Sequence, residues 1–137
     1  MDPGFDHDEY TRWLEQALHT LESAGRDLED GDYAWSCFKA QQAGEYAAKA
    51  VLRGYGRLAA GHCILRLLEE MKVGGLILDE GLLGRAKLLD RHYIPPRYPY
   101  AYPSGSPFEF YDEDTAKQAL AAASDLVESL RRVGGQP

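Results

Sequence analysis

From Tyr10 the apolar positions run Tyr10, Trp13, Leu14, Ala17, Leu18, Leu21, Ala24 and Leu28, the stripe of an amphipathic helix that Gly31 brings to an end. Asp32 then stands where an N-cap is wanted, and Tyr33, Phe38, Ala40, Ala43, Ala47, Ala50, Val51 and Tyr55 give a second helix its apolar surface. So short a turn makes the two antiparallel. The second helix is dense in small residues, Ala40, Ala43, Gly44, Ala47, Ala48 and Ala50, which lets a neighbouring helix approach closely. Gly54, Gly56 and Gly61 interrupt the pattern, and residues 62–71 resume it with Ile64, Leu65, Leu67, Leu68 and Met71 as a third helix. After Gly74 and Gly75, residues 79–89 predict a further short piece carrying Leu82, Leu83, Ala86 and Leu89. Residues 93–111, YIPPRYPYAYPSGSPFEFY, hold five of the seven prolines and are excluded from regular helix. A last helix runs from Asp112 to about Val133, and no segment alternates as a strand does. The prediction is an all-α, up-and-down four-helix bundle with a short extra helix and a long Pro/Tyr-rich loop before the last helix. It forms one domain over residues 1–137, ordered from about 8 to 133, with disordered ends at MDPGF and GGQP.

Composition narrows the chemistry. A chain of 137 residues can bury a core without disulfide or metal staples, and Cys37 and Cys63, with no CxxC partner, read as buried thiols rather than as a bridge or a zinc site. No metal and no cofactor is expected. No apolar run approaches the roughly 20 residues of a membrane span, and the start MDPGFDHDEY is acidic where a secretory signal is basic, so a cytoplasmic location with no membrane contact is expected. A net charge of −7 argues against a protein that coats long DNA. Between Arg85 and Tyr100 the balance reverses, Arg85, Lys87, Arg91 and Arg97 facing the single acid Asp90.

The first-helix pattern YTRWLEQALHTLESA, the segment GDYAWSCFKAQQAGEYAAKAVL, the GHCILRLL step and LDRHYIPPRYPYAYPSGSPFEFY with the closing helix together resemble the HEPN (higher eukaryote and prokaryote nucleotide-binding) family, in a branch with a YIPxRYP loop. The likeness covers roughly Tyr10 to Leu130. It implies a helical bundle that often dimerises and is commonly encoded beside a minimal nucleotidyltransferase in prokaryotic toxin–antitoxin pairs. Some relatives cleave RNA; others are thought only to bind nucleotides or RNA. The RNA-cleaving branch carries an Arg and a following His with four to six residues between them.

That spacing occurs three times here: Arg12 with His19, Arg57 with His62, and Arg85 with His92. Position decides among them. Arg57 and His62 lie in a glycine-rich link that would hold a catalytic pair poorly, whereas Arg85 and His92 lie directly before the loop, where the resemblance implies the RNase pair. A His can take the proton of a 2′-hydroxyl and an Arg can stabilise a phosphorane. His62 reads as a local cap or packing residue, and His92 as an exposed helix-end residue. In the loop, Arg97 sits between Pro96 and Tyr98; with Arg91, Tyr93 and Tyr98 it suits a phosphate-and-base platform, or it packs as part of an aromatic lid paired to an acid such as Glu45. Glu45 and Lys49 are an i, i+4 ion pair, and Gln41, Gln42 and Glu45 form a polar strip that calls for a polar partner inside the bundle, Arg97 or Tyr98 first. Three functions stay open: a homodimeric module that binds a nucleotide or short RNA and pairs with a minimal nucleotidyltransferase; a metal-independent ribonuclease toxin using Arg85 and His92; or a structural homodimer without a ligand.

Overall fold

In the computed structural model, which describes residues 4–135, the chain folds into five α-helices: α1 (His7–Glu29), α2 (Tyr33–Gly54), α3 (Ile64–Val73), α4 (Gly81–Asp90) and α5 (Glu113–Gly135). The described residues contain no strand. Three helices are long, while α3 has ten residues, no more than the extra piece α4. Between α4 and α5 the proline-rich loop winds two short 3-10 turns, Pro99–Ala101 and Pro107–Phe110, each opened by a proline whose missing N–H costs nothing at a helix start.

α2 is the central helix and packs against all four others. Its alanines explain how. Ala40, Ala43, Ala48 and Ala50 are fully buried, and a Cβ on Gly44 would stand 2.8 Å from Ile64 Cδ1 and 2.9 Å from Leu126 Cδ2. Only a bare backbone there lets α3 and α5 close on α2. The core is filled by Val51, Leu52, Ile64, Leu68, Met71, Leu82, Leu89, Leu126 and Leu130.

Several local expectations change. Asp32 makes no side-chain cap bond; Gly31, at φ 78°, turns the chain between α1 and α2 instead. Asp6 caps α1 by accepting from the Glu9 amide, and Asp112 caps α5 by accepting from that of Thr115. Helix and core packing reach past the expected bounds of 8 and 133. Phe5 is buried with its ring against Tyr10 and Tyr55, and α5 continues to Gly135, its Arg131 carbonyl accepting from the Tyr10 hydroxyl at 3.1 Å. The remaining end residues, 1–3 and 136–137, lie outside the described part of the chain. Cys37 is buried, but Cys63 is only half-buried. Among the described residues no helix is long and apolar enough to cross a membrane.

Candidate functional site

Asp90 organises the ground on which the site stands. At the end of α4, its Oδ1 accepts from the Ile64 amide at 2.9 Å and its Oδ2 from the Leu65 amide at 3.0 Å, so a carboxylate from another helix caps α3. Cys63 Sγ and Gln41 Nε2 also donate to it, at 3.4 and 3.3 Å. The one acid of the basic segment is therefore turned inward, leaving Arg91 and Lys87 exposed and without an ion pair among the described residues.

The buried polar strip of α2 finds a partner other than the one expected. Glu45 Oε2 lies 3.0 Å from Lys49 Nζ and 3.2 Å from His62 Nδ1, and Gln42 Nε2 donates to its Oε1 at 3.3 Å. Neither Arg97 nor Tyr98 reaches it. The His62 main-chain carbonyl accepts from Gln41 Nε2 at 2.8 Å, and its imidazole stacks on Tyr93 at 5.0 Å and 15°. The glycine-rich link thus holds His62 firmly, contrary to expectation, and His62 is no cap, because the Asp90 carboxylate fills that role. Arg57 is drawn away to Glu70 at 2.6 Å.

Arg97 lies on the same Tyr93 ring. Its guanidinium carbon is 4.1 Å from the Phe38 ring centroid, 4.7 Å from that of Tyr93 and 4.9 Å from that of Tyr98. Nε donates to the Tyr93 carbonyl at 2.9 Å and Nη1 to the Tyr98 hydroxyl at 3.4 Å. Among the described residues no carboxylate pairs with it, so the proposed Glu45–Arg97 pair does not form. The aromatic row continues outward, Trp35 edge-on to Phe38 and Tyr98 stacked on Tyr100, with Trp35 46% and Tyr100 75% exposed. The loop is pinned by buried Pro96 and Pro107 and half-buried Tyr93, Tyr102 and Tyr111, while Tyr98, Tyr100, Phe108 and Phe110 face outward.

Arg85 and His92 are not joined to one another. Arg85 Nε lies 3.4 Å from Asp125 on α5, and His92 Nδ1 lies 3.1 Å from the Tyr111 hydroxyl. His92 is half-buried rather than exposed, and burial, with Arg91 adding to it, holds its pKa below the ordinary value. Burial likewise raises the Tyr111 hydroxyl and pushes the Cys37 thiol up to about 12, so neither is an activated nucleophile. Among the described residues no three His, Cys, Asp or Glu side chains converge as a metal group would.

His62, Cys63, Asp90 and Tyr93 line a depression of about 270 Å3. Hollows of about 220 Å3 beside Trp13 and about 250 Å3 beside Leu58 are of similar size, so volume does not single out a site. Chemistry does: neither of the others is lined by a histidine, although Arg53 lies over the Trp13 ring beside the first of them. The residues that sequence reasoning missed are Phe38, Asp90 and, as a held group, His62. Their joint position depends on contacts between segments far apart in the chain.

The comparisons with known proteins fit this architecture. A HEPN domain model matches residues 10–133. A protein of Methanocaldococcus jannaschii named as a toxin candidate, MJ1304, is 28% identical over 138 residues, spanning 95% of this chain and 91% of its own. Among solved structures, TT1696 from Thermus thermophilus is 41% identical with a TM-score of 0.87, over 90% of this chain and 97% of its own. The Thermotoga maritima HEPN domain protein tm0613 is 31% identical with a TM-score of 0.75, over 92% and 99% of the two chains. The archaeal HEPN homologue ST0689 is 31% identical with a TM-score of 0.74, over 90% and 95%. With the family model matched over nearly the whole bundle and relatives above 30% identity across nine-tenths of its length, the chain belongs to the HEPN domain family.

Proposed function

We propose that this HEPN domain protein binds a nucleotide or short RNA at the Arg97 platform. The observation that carries the reading is the state of that guanidinium: clasped by Phe38, Tyr93 and Tyr98, fixed through Nε, and without a carboxylate. A planar cation held in place and unneutralised suits a phosphate oxygen pair. The exposed rings of Tyr98, Tyr100 and Trp35 beside it offer faces on which bases stack without regard to sequence. Arg91 supports the reading with a further exposed positive charge. The overall charge of −7 confines such binding to this face, which favours a nucleotide or short strand over long DNA. The likeness to a toxin candidate of Methanocaldococcus jannaschii supports a role as the toxin of a toxin–antitoxin pair; a homodimer with a minimal nucleotidyltransferase as its partner completes the proposal.

Titration with nucleotides and a short oligoribonucleotide tests the platform. Arg97→Ala lowers affinity by about ten- to a hundredfold, the worth of a charge-assisted contact, without unfolding the bundle. Arg97→Lys lies between, because Lys keeps the charge and loses the two-point geometry. Unchanged affinity in Arg97→Ala would sink the proposal.

A further inference from the structure

The hollow of about 220 Å3 between α1 and α2 is built around a ring held in place. Trp13 Nε1 donates to Glu9 Oε1 at 3.2 Å, and the Arg53 guanidinium carbon lies 4.7 Å from the Trp13 ring centroid, so the indole is oriented before any ligand arrives. Tyr46 stands 5.9 Å from it at 46° and makes the second apolar wall. Arg12 and Gln16 complete the lining. Arg12 and His19 share the Arg–His spacing, but only Arg12 belongs to the hollow. We infer that this hollow is a binding site for a small aromatic carboxylate, one ring carrying one acid group. None of the residues that clasp Arg97 lines it, so the inference does not depend on the binding reading above.

Charge decides the anion. Glu9 serves two guanidinium groups, 3.0 Å from Arg12 Nε and 3.7 Å from Arg53 Nη1, which leaves one positive charge in excess. Arg12 meets Glu9 through Nε, its side chain is 72% exposed, and neither Nη has a partner among the described residues. One surplus charge and a free pair of Nη donors match a carboxylate, whose two oxygens share a single charge; a phosphomonoester brings nearly two. No lining residue is acidic, so nothing in the hollow repels the anion. Size decides the body. The volume lies below the range of about 300–1,000 Å3 that holds a whole drug-sized ligand, and it suits one ring rather than a base joined to ribose and phosphate. Trp13 and Tyr46 offer that ring its apolar contact. The Tyr46 hydroxyl has no hydrogen-bond partner among the described residues, and Gln16, whose amide nitrogen donates to Thr20 at 3.4 Å, keeps its oxygen free. Both are left to hydrogen-bond a substituent on the ring.

The chain has two tryptophans, so their indole N–H signals in an NMR spectrum can be told apart: the one that disappears in Trp35→Phe is that of Trp35. Titrating the full chain with phenylacetate should move the Trp13 signal to saturation and leave that of Trp35 in place. Acetate, which lacks the ring, and phenylacetamide, which lacks the charge, should each bind at least about tenfold more weakly. Arg12→Gln should weaken phenylacetate binding by a similar factor at an unchanged melting temperature, because the side chain is exposed and its contact with Glu9 is a surface pair. A Trp13 signal unmoved by phenylacetate overturns the inference. Equal affinity for acetate or for phenylacetamide also overturns it, since the site would then read charge alone or ring alone. Undiminished binding in Arg12→Gln does the same. Adenosine monophosphate that moves the Trp13 signal at a lower concentration than phenylacetate overturns it too, and makes the hollow a nucleotide site.

Discussion

His92 is the chemical opposite of His62. Half-buried against Tyr111, it is held below its ordinary pKa of 6.5, first by burial and second by Arg91, so the folded protein prefers the neutral imidazole. The unfolded chain binds a proton there at the ordinary value, and protonation therefore favours unfolding. Its contribution to stability is complete above pH 6.5 and is lost as the pH falls through the depressed folded value. Thermal melts from neutral to mildly acid pH should fall more steeply for the wild type than for His92→Gln, which cannot titrate. Parallel curves would show that His92 has the same proton affinity folded and unfolded. The two histidines also show what sequence could tell about single residues. Both were visible as Arg–His spacings, but spacing is blind to burial. The pair before the loop became a half-buried His92 and an Arg85 turned to Asp125, while the histidine in the glycine-rich link became the held and open one.

Helices were the legible scale, because their signal is a local period. All five stand where the apolar spacing put them, to within a few residues, and the small residues of α2 do admit close neighbours, as Gly44 demonstrates against Ile64 and Leu126. The loop's second 3-10 turn was not read from the sequence, although its Ser106 amide donates to the Glu109 carboxylate three residues on, across Pro107. What was not legible is any cap or contact supplied from afar. α3 is capped by Asp90, 26 residues from Ile64, and Arg97 stacks on Phe38, 59 residues away in the chain. No window of sequence holds both partners. The remote cap predicts its own cost. Asp90→Ala frees two helix-end amides at once and lowers stability by about 1–2 kcal/mol, read as a lower denaturant midpoint with an unchanged slope. An unaltered midpoint would mean that water replaces the carboxylate without loss.

At the scale of the whole molecule, the argument for a homodimer shifts its footing. The alanine-rich face of α2 is spent inside the monomer, since α2 packs against every other helix. The apolar surface that stays open lies instead on the loop and the adjoining end of α2: Trp35 at 46%, Tyr100 at 75%, Phe108 at 73% and Phe110 at 51% exposure. Aromatic side chains are enriched where proteins meet one another, and so many on one loop exceed what a small monomer ordinarily shows to water. Leu58, Val73 and Ile77 are also exposed, but they are aliphatic and lie at the end of α3 and in the segments flanking it. Trp35 and Tyr100 belong to the Arg97 platform, so Phe108 and Phe110 are the expected contact between two copies, each contributing the same patch to the other across a two-fold axis. Sedimentation should give a mass near twice the 15.3 kDa of one chain. Replacing Phe108 and Phe110 together by Glu should return it to the monomer, because two charges placed in an apolar contact cannot both be satisfied there. The control Ile77→Glu should leave the dimer intact. A wild type that sediments as a monomer at micromolar concentration defeats the prediction outright, and a dimer broken by Ile77→Glu alone would move the interface to α3.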